Sequence, residues 1–177
     1  MLVVAHGCGG AVPHPPGLVQ CIEYATLPGK YQIGQASGVR FVVGADDEGA
    51  VADTVIDELR ARGHDVTVLE RGQWPDIAAR VAHAVADGDA DHGVLFCWTG
   101  TGTSMAANKV PGVRAALAWD PWIAEGARKW NDANVLVMSL KRTDPQTARA
   151  IVDAWLSVDE PDPDEAANIA RLRELER

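Results

Sequence analysis

Five short apolar runs, separated by helical patterns, constrain the fold of this chain more than any other feature of the sequence. The runs cover residues 40–44, 66–69, 92–97, 113–118 and 134–139. Strands that are buried on both faces read as continuous apolar runs rather than as alternating ones. The sequence therefore predicts an α/β fold of the doubly wound, Rossmann-like type, in which helices cover both faces of a five-stranded parallel sheet and make three layers.

Amphipathic segments between the runs predict the helices. Their spacing predicts helices over residues 50–62, 75–87, 121–130 and 143–156, and a short alanine-rich helix that ends at residue 109. Gly63 and Gly88 follow the first two helices, and Pro75 and Pro145 stand in first turns, where these residue types are common. Residues 39–156 are therefore predicted to form one α/β domain.

Two terminal segments lie outside this pattern. The composition of residues 157–177 predicts an acidic linker that leads to a C-terminal helix or arm. Residues 1–38 carry one acid and one base, are rich in glycine and proline over 7–17, and are expected to be a poorly ordered extension. The first basic residue of this segment is Lys30, so no secretory leader is expected. A valine codon can serve as a translation start, so the folded pattern could itself begin at Val39. The candidate metal ligands of residues 1–38 are His6, Cys8, His14 and Cys21. This spacing matches no zinc pattern, so no metal site is predicted.

Composition limits the partners that the chain can have. The net charge is −9 and only four of the sixteen cationic residues are lysine, so a nucleic-acid partner is not expected. No apolar run approaches the roughly 18 residues of a membrane span, and no membrane association is expected. Three scattered cysteines do not make a disulfide framework, which favours a reducing cytoplasm as the location.

The strongest chemical signal follows the third apolar run, which ends at Cys97. Gly100 and Gly102 in the next segment let the backbone turn tightly and present N–H groups to an anion, at the start of a predicted helix. A cysteine in such a place can be a thiolate base or nucleophile, although a free cysteine is more often a small buried core residue. The segment lacks the Gly-Lys-Ser/Thr of a P-loop and the third glycine of a dinucleotide fingerprint, so no cofactor is predicted.

Residues 97–117 resemble the signature of type B ribose-5-phosphate isomerases and their galactose-6-phosphate isomerase relatives. Further segments match in the same order, at residues 43–46, 75–78, 131–135 and 151–156. The chain is identified on this basis as a divergent member of that family over residues 39–156. The resemblance implies an aldose–ketose isomerase that needs neither metal nor nucleotide and acts on a sugar or sugar phosphate through a cis-enediolate.

The resemblance also implies roles for individual residues. Cys97 is the base, Thr99 supplies a hydroxyl near the sugar oxygens, and Asp46 is available for ring opening or hydroxyl binding. The resemblance implies substrate contacts at Asp47, Trp74, Trp98, Gly100, Thr101, Gly102, Thr103, Arg114, Trp130 and Asn131. The loop N–H groups form an anion hole for the enediolate, and Arg114 is either the cation near the ligand or a surface arginine. A homodimer whose sites combine residues of both subunits is implied as well.

Departures from the family pattern leave two functions open. Asp47 and Trp130 stand where the family has histidines, the latter assigned to ring opening, and Asp164 and Asn168 align with its two phosphate-binding arginines. An isomerase with a shifted substrate is favoured by the retained thiol at Cys97. A non-catalytic carbohydrate- or metabolite-binding relative is favoured by the missing histidine. The indoles of Trp74, Trp98 and Trp130, at positions that face the ligand in the family, are either a substrate platform that stacks on the C–H faces of sugars or space-filling replacements.

Overall fold

Five parallel strands form one sheet in the order β2-β1-β3-β5-β4 in the computed structural model, which describes residues 38–176. The strands are β1 (Arg40–Ala45), β2 (Asp65–Val68), β3 (His92–Cys97), β4 (Ala115–Leu117) and β5 (Val135–Ser139). The helices are α1 (Ala50–Ala61), α2 (Trp74–Ala86), α3 (Thr101–Ala107), α4 (Pro121–Asn131), α5 (Pro145–Leu156) and α6 (Ala166–Glu174), with a 3₁₀ turn at Pro163–Glu165. The predicted doubly wound, three-layer α/β fold is confirmed.

Two hydrophobic layers hold the sheet between its helices. Alternate side chains of β1 and β3 point to opposite faces, as the pleat of a strand requires. Phe41 and Phe96 pack with α1, α4 and α5 on one face, whereas Val42 and Leu95 pack with α2 and α3 on the other. The central strands are therefore buried on both sides, which explains their continuous apolar sequence.

The two edge strands differ from the sequence expectation. β4 is three residues long, not six, because the turn at Gly112 runs on into Val113, whose N–H bonds to the carbonyl of Val110. The backbone N–H of Arg114 donates to the side-chain oxygen of Asn134 instead of to a neighbouring strand. β2 is apolar in part but exposed along most of its length, because it lies at the other edge and pairs only with β1.

The strand order places a switch point between β1 and β3. The chain crosses from β1 to β2 on one side and then to β3 on the other, so the connections leave a crevice at the carboxyl ends of β1 and β3. Ligands of open α/β sheets bind at such a point. The candidate site is therefore expected where β1 leads into Asp46 and β3 ends at Cys97.

The predicted extension over 1–38, with its two histidines and two cysteines, lies outside the described residues apart from Gly38. In the part that is described, no helix has the length and hydrophobicity that a membrane crossing requires. Within the same residues, histidine, cysteine and carboxylate side chains form no group of three that is suited to hold a metal ion.

Candidate active site

Asp46 and Cys97 lie side by side at the switch point. The strands β1 and β3 are paired, and the N–H of Asp46 donates to the carbonyl of Phe96 at 3.3 Å. Both residues line a cavity of about 360 Å³ at the carboxyl end of the sheet. The complete set of lining residues is Asp46, Trp74, Cys97, Trp98, Thr99, Thr101 and Gly102. The structure thus brings together seven of the thirteen residues that the sequence predicted for the site.

The segment after β3 wraps around the sulfur of Cys97. Cys97 is only 4% exposed, and its Sγ accepts the N–H of Gly100 at 3.1 Å and the hydroxyl of Thr103 at 3.4 Å. Burial raises the pKa of the thiol, but these bonds and the backbone N–H groups of Thr103 and Thr99 outweigh it, so the pKa of Cys97 lies below its ordinary value. A lowered pKa favours the thiolate, which is the form that can act as a base.

Two glycines of this loop are required by the backbone and by the packing. Gly100 caps α3 with a φ of 80°, which side chains with a Cβ rarely adopt, and a Cβ there would lie 2.4 Å from a methyl carbon of Leu117. A Cβ at Gly102 would lie 3.1 Å from the ring of Trp74. The two glycines thus allow the chain to curl around Cys97 and the indole of Trp74 to close one side of the cavity.

Two hydroxyl groups stand at the mouth of the cavity. Thr99 and Thr101 are exposed, and their side-chain oxygens lie 2.7 Å apart. The N–H of Thr101 points to the oxygen of Thr99 at 3.4 Å. Each hydroxyl can donate or accept, so the pair is suited to bind sugar hydroxyl groups beside the buried sulfur.

Asp46 is the partly buried acid of the cavity. Burial is the main cause that raises its pKa above the ordinary value, and the neighbouring charge of Asp47 raises it further, against the opposing effect of Lys141. Its Oδ1 is buried and has no hydrogen-bond partner among the described residues. A carboxyl group with a raised pKa and an unused oxygen can hold or release a proton at the substrate.

Lys141 is a cation at this site that sequence reasoning missed. Its ammonium lies 5.0 Å from the ring centroid of Trp98 and 3.8 Å from the carboxylate of Asp47. It follows the carboxyl end of β5, which pairs with β3. Since parallel strands end at one edge of a sheet, its position directly after a predicted strand was the signal that could have identified it.

Three predicted site residues lie away from this cavity in the same chain. Trp130 and Asn131, at the end of α4, line a second cavity of about 390 Å³ that contains none of the residues around Cys97. Trp122 meets Trp130 edge to face there, with ring centroids 5.6 Å apart. Arg114 is held by Asp132, whose carbonyl and carboxylate accept its Nε at 2.6 Å and its Nη2 at 2.9 Å.

Asp164 and Asn168, the two tail residues that the sequence resemblance pairs with the family's arginines, bring no cation to the site. Asp164 is exposed in the 3₁₀ turn, and the side chain of Asn168 donates to Glu165 at 2.7 Å. Arg173 pairs with Asp132 at 2.8 Å, and Arg171 pairs with Glu174 at 3.2 Å. Helix α6 packs against α4 and buries Ile169.

A groove of about 610 Å³ lies next to the Cys97 cavity, between α1 and the exposed β2 edge. Asp47 lines this groove, and the residue before it, Asp46, lines the Cys97 cavity; the other predicted site residues are absent from the lining of the groove. Its floor is apolar and includes Ile56 and Val68, whereas its rim carries mostly carboxylates. The groove is larger than the Cys97 cavity, but it lacks the sulfur and the hydroxyl groups that chemistry on a sugar would use.

Comparison with known proteins gives a consistent result. The family described as Ribose/Galactose Isomerase matches residues 41–173. The ribose-5-phosphate isomerase B of Escherichia coli is 41% identical over 109 residues, which are 58% of this chain and 72% of that protein. The D-erythrulose-4-phosphate isomerase of Pectobacterium atrosepticum is 37% identical over 124 residues, which are 66% of this chain and 82% of that protein.

Solved structures agree with the sequence comparisons. The ribose-5-phosphate isomerase B of Clostridium thermocellum superposes with a TM-score of 0.72 at 34% identity, over 77% of this chain and 96% of that chain. The enzyme of Mycoplasma genitalium, solved with bound ribulose-5-phosphate, superposes with a TM-score of 0.72 at 30% identity, over 77% of this chain and 95% of that chain. The matched region ends inside α6 and includes the whole Cys97 cavity.

Proposed function

Because the chain belongs to the ribose/galactose isomerase family, we propose that it interconverts an aldose and a ketose by proton transfer through a cis-enediolate, with Cys97 as the base. Family membership makes the protein an intramolecular oxidoreductase. The identity of the base and the path of the proton are the parts that we propose. The substrate class is a sugar or a sugar phosphate.

The observation that carries the proposal is the buried, hydrogen-bonded sulfur of Cys97 in one cavity with Asp46 and Thr99. A cysteine that only fills space has no need for a cradle of donors, which stabilises its charged form. The same cavity supplies a second proton-carrying group and a pair of hydroxyl groups. A proton transfer next to a carbonyl requires this combination of a base, an acid and hydrogen-bond donors for the oxyanion.

The chemical step follows from these positions. The thiolate of Cys97 removes a proton from the carbon next to the carbonyl, and the carbonyl π electrons move to oxygen to give the enediolate. Thr99 and the loop N–H groups hydrogen-bond the oxygens that carry the charge. A proton then moves between the two oxygens, and the thiol returns its own proton to the former carbonyl carbon. Asp46 assists ring opening, for which a carboxyl group that changes its protonation state is suited.

A homodimer with shared sites belongs to the proposal. Trp130 and Asn131 are exposed in this chain and do not reach the Cys97 cavity. Trp119 and Trp122 are each 64% exposed, and exposed aromatic clusters of this kind are typical of interfaces between proteins. In a two-fold dimer, α4 of one subunit would complete the cavity of the other.

A second candidate function is favoured by one observation, the indole of Trp130 at the position of the ring-opening histidine. A tryptophan donates one hydrogen bond and does not titrate, so it cannot take over acid–base chemistry. If no other group opens the ring, the protein binds open-chain sugars or a metabolite without turnover. The raised pKa of Asp46, caused mainly by burial, favours catalysis because it supplies such a group.

The test is the exchange for deuterium of the C2 proton of aldoses and of a C1 proton of ketoses, followed by NMR across a panel of these sugars and their phosphates. Exchange with at least one sugar, lost in Cys97→Ser, supports the isomerase. Binding by calorimetry without exchange of any sugar, in the parent protein, would instead support the binding relative. Ketoses that cannot close a stable ring need no ring opening, so exchange with these sugars alone would show that ring opening is the missing step.

A further inference from the structure

Thr103 places a hydroxyl group against the sulfur of Cys97 from inside the protein. Its side chain is fully buried, at 0% exposure, and Thr103 is not among the residues that line the Cys97 cavity. Its Oγ1 lies 3.4 Å from the sulfur and 3.2 Å from the carbonyl oxygen of Gly100. Thr103 therefore contacts the reacting group of the site but does not reach a ligand through its side chain.

The single proton of this hydroxyl has two acceptors within reach. When the sulfur is a thiolate, the stronger acceptor is the charged atom, because hydrogen bonds to charged groups exceed neutral ones. When the sulfur carries a proton, the thiol is a weak donor and the Thr103 oxygen can accept from it. The hydroxyl proton is then free to turn to the carbonyl of Gly100. The buried sulfur thus has a partner in both protonation states.

We propose that Thr103 is a positioning residue whose hydroxyl follows the charge on Cys97, donating to the thiolate and turning to the Gly100 carbonyl when the sulfur is protonated. The hydroxyl transfers no proton and only rotates. Its role in catalysis rests on the proposed function of Cys97, but its effect on the thiol does not. The role also differs from the ligand contact that the sequence resemblance implied for Thr103.

The matched variants are Thr103→Val, which keeps the shape and removes the hydroxyl, and Thr103→Ser, which keeps the hydroxyl. The readout is the rate of alkylation by iodoacetamide as a function of pH, followed by mass spectrometry on the peptide that contains Cys97. We expect Thr103→Val to move the midpoint of this profile upward by about one pH unit, on the scale of a lost charged hydrogen bond. Thr103→Ser should keep the parent profile.

Catalysis provides an independent readout. In Thr103→Val the acid limb of kcat should move in the same direction as the alkylation profile, while KM stays within about twofold, because the side chain does not touch the substrate. An alkylation profile of Thr103→Val that superimposes on the parent profile would overturn the inference. If Thr103→Val does not fold, as judged by circular dichroism, the same comparison between Thr103→Ala and Thr103→Ser decides it.

The inference and the proposed function can fail separately. A shifted alkylation profile together with full activity of Cys97→Ser would leave the hydroxyl in its role and remove Cys97 from the chemistry. An unshifted profile together with an inactive Cys97→Ser variant would leave Cys97 as the base and remove Thr103 from its role.

Discussion

Trp98 donates its indole N–H to the carboxylate of Asp47 at 2.9 Å, so the residue after Cys97 is tied to the residue after Asp46. Trp98 lines the Cys97 cavity, whereas Asp47 lines the neighbouring groove. The hydrogen bond from Trp98 is the main cause that holds the pKa of Asp47 below its ordinary value. The sequence resemblance implies a histidine at the position of Asp47 in the family, and here the carboxylate at this position is bonded to the indole that follows Cys97.

The position of Trp98 in the cavity lining predicts that its fluorescence responds to a bound sugar. The indole is 60% exposed beside the cavity, so a sugar that stacks on it should quench its emission. We expect the quenching to disappear in Trp98→Phe and to persist in Trp119→Phe, which changes an equally exposed indole outside the cavity lining. The titration uses the sugar that exchanges fastest in the NMR panel. Equal affinity in Trp98→Ala and the parent protein would dismiss the platform.

Cys97→Ser is expected to lower kcat by a factor of about 10² or more, on the scale of lost general-base catalysis. A serine hydroxyl keeps the hydrogen-bonding shape of the cradle, but its pKa is far above that of a thiol and it supplies no base at neutral pH. Steady-state kinetics of the two proteins is the measurement. The control is Ser104→Ala, which changes a hydroxyl on α3 that bonds to the carbonyl of Ala115 rather than to the sulfur. A Cys97→Ser variant with parent-like turnover would remove Cys97 from the mechanism.

The sequence predicted the sheet and the cavity because both depend on local signals. Apolar runs and glycine breaks define β1 and β3, and strand order then brings Asp46 to Cys97. Contacts that depend on side-chain rotamers were not predictable in the same way: the bond from Thr103 to the sulfur, and that from Trp98 to Asp47. The exposure of β2 was not predicted, because its sequence resembles that of a buried strand. Its position at the edge of the sheet, which the sequence does not reveal, determines how much of it is exposed.

The buried imidazole of His92 makes the free energy of unfolding depend on pH. Burial is the main cause that lowers the pKa of His92 to about 4, and the charge of Arg128 adds to it against that of Asp91. Its ring lies between Phe41 and Trp155, and its buried Nδ1 has no partner among the described residues. Between about pH 4 and 6.5 the unfolded chain holds a proton on this residue and the folded chain does not. The free energy of unfolding therefore falls as the pH drops through this window.

The contribution of His92 is at most about 3.5 kcal/mol, the full shift of its pKa from 6.5 to about 4 converted at about 1.4 kcal/mol for each pKa unit. We expect His92→Phe, which suits the aromatic surroundings and does not titrate, to lose less stability between pH 7 and pH 4 than the parent protein. Urea unfolding at both pH values is the measurement. His83→Phe, at an exposed position of α2, is the matched control and should follow the parent curve. Parallel losses in the parent and His92→Phe would refute the assignment.

The proposed shared site predicts complementation between two inactive variants. Cys97→Ser removes the base, and Asn131→Ala changes the residue that would come from the other subunit. In a mixed dimer one site carries both changes and the other carries none, so an equal mixture that exchanges subunits should regain about a quarter of the parent activity. Activity is measured after refolding the two variants together. A mixture that stays as inactive as its components would place Asn131 outside the partner's site.

The protein is expected to be a poor ribose-5-phosphate isomerase, because the arginines that could bind the phosphate are paired with acids elsewhere in the fold. A phosphate dianion is best held by arginine in bidentate geometry. Arg114 and Arg173 both pair with Asp132, and Asp164 and Asn168 stand where the sequence resemblance expects the family's two arginines. Two lost charged hydrogen bonds cost about 3–6 kcal/mol, which is roughly two to four powers of ten in affinity.

Lys141 is a cation beside the cavity, and its ammonium is shared between Asp47 and the face of Trp98. One shared ammonium does not replace two arginines, so a substrate whose far end is neutral, cationic or differently placed should be turned over better. Steady-state kinetics with ribose 5-phosphate against unphosphorylated pentoses and hexoses measures this, and Lys141→Met tests what the single cation contributes. A kcat/KM for ribose 5-phosphate of about 10⁴ M⁻¹s⁻¹ or more, within the usual enzyme range, would show that this site binds the dianion without the arginines.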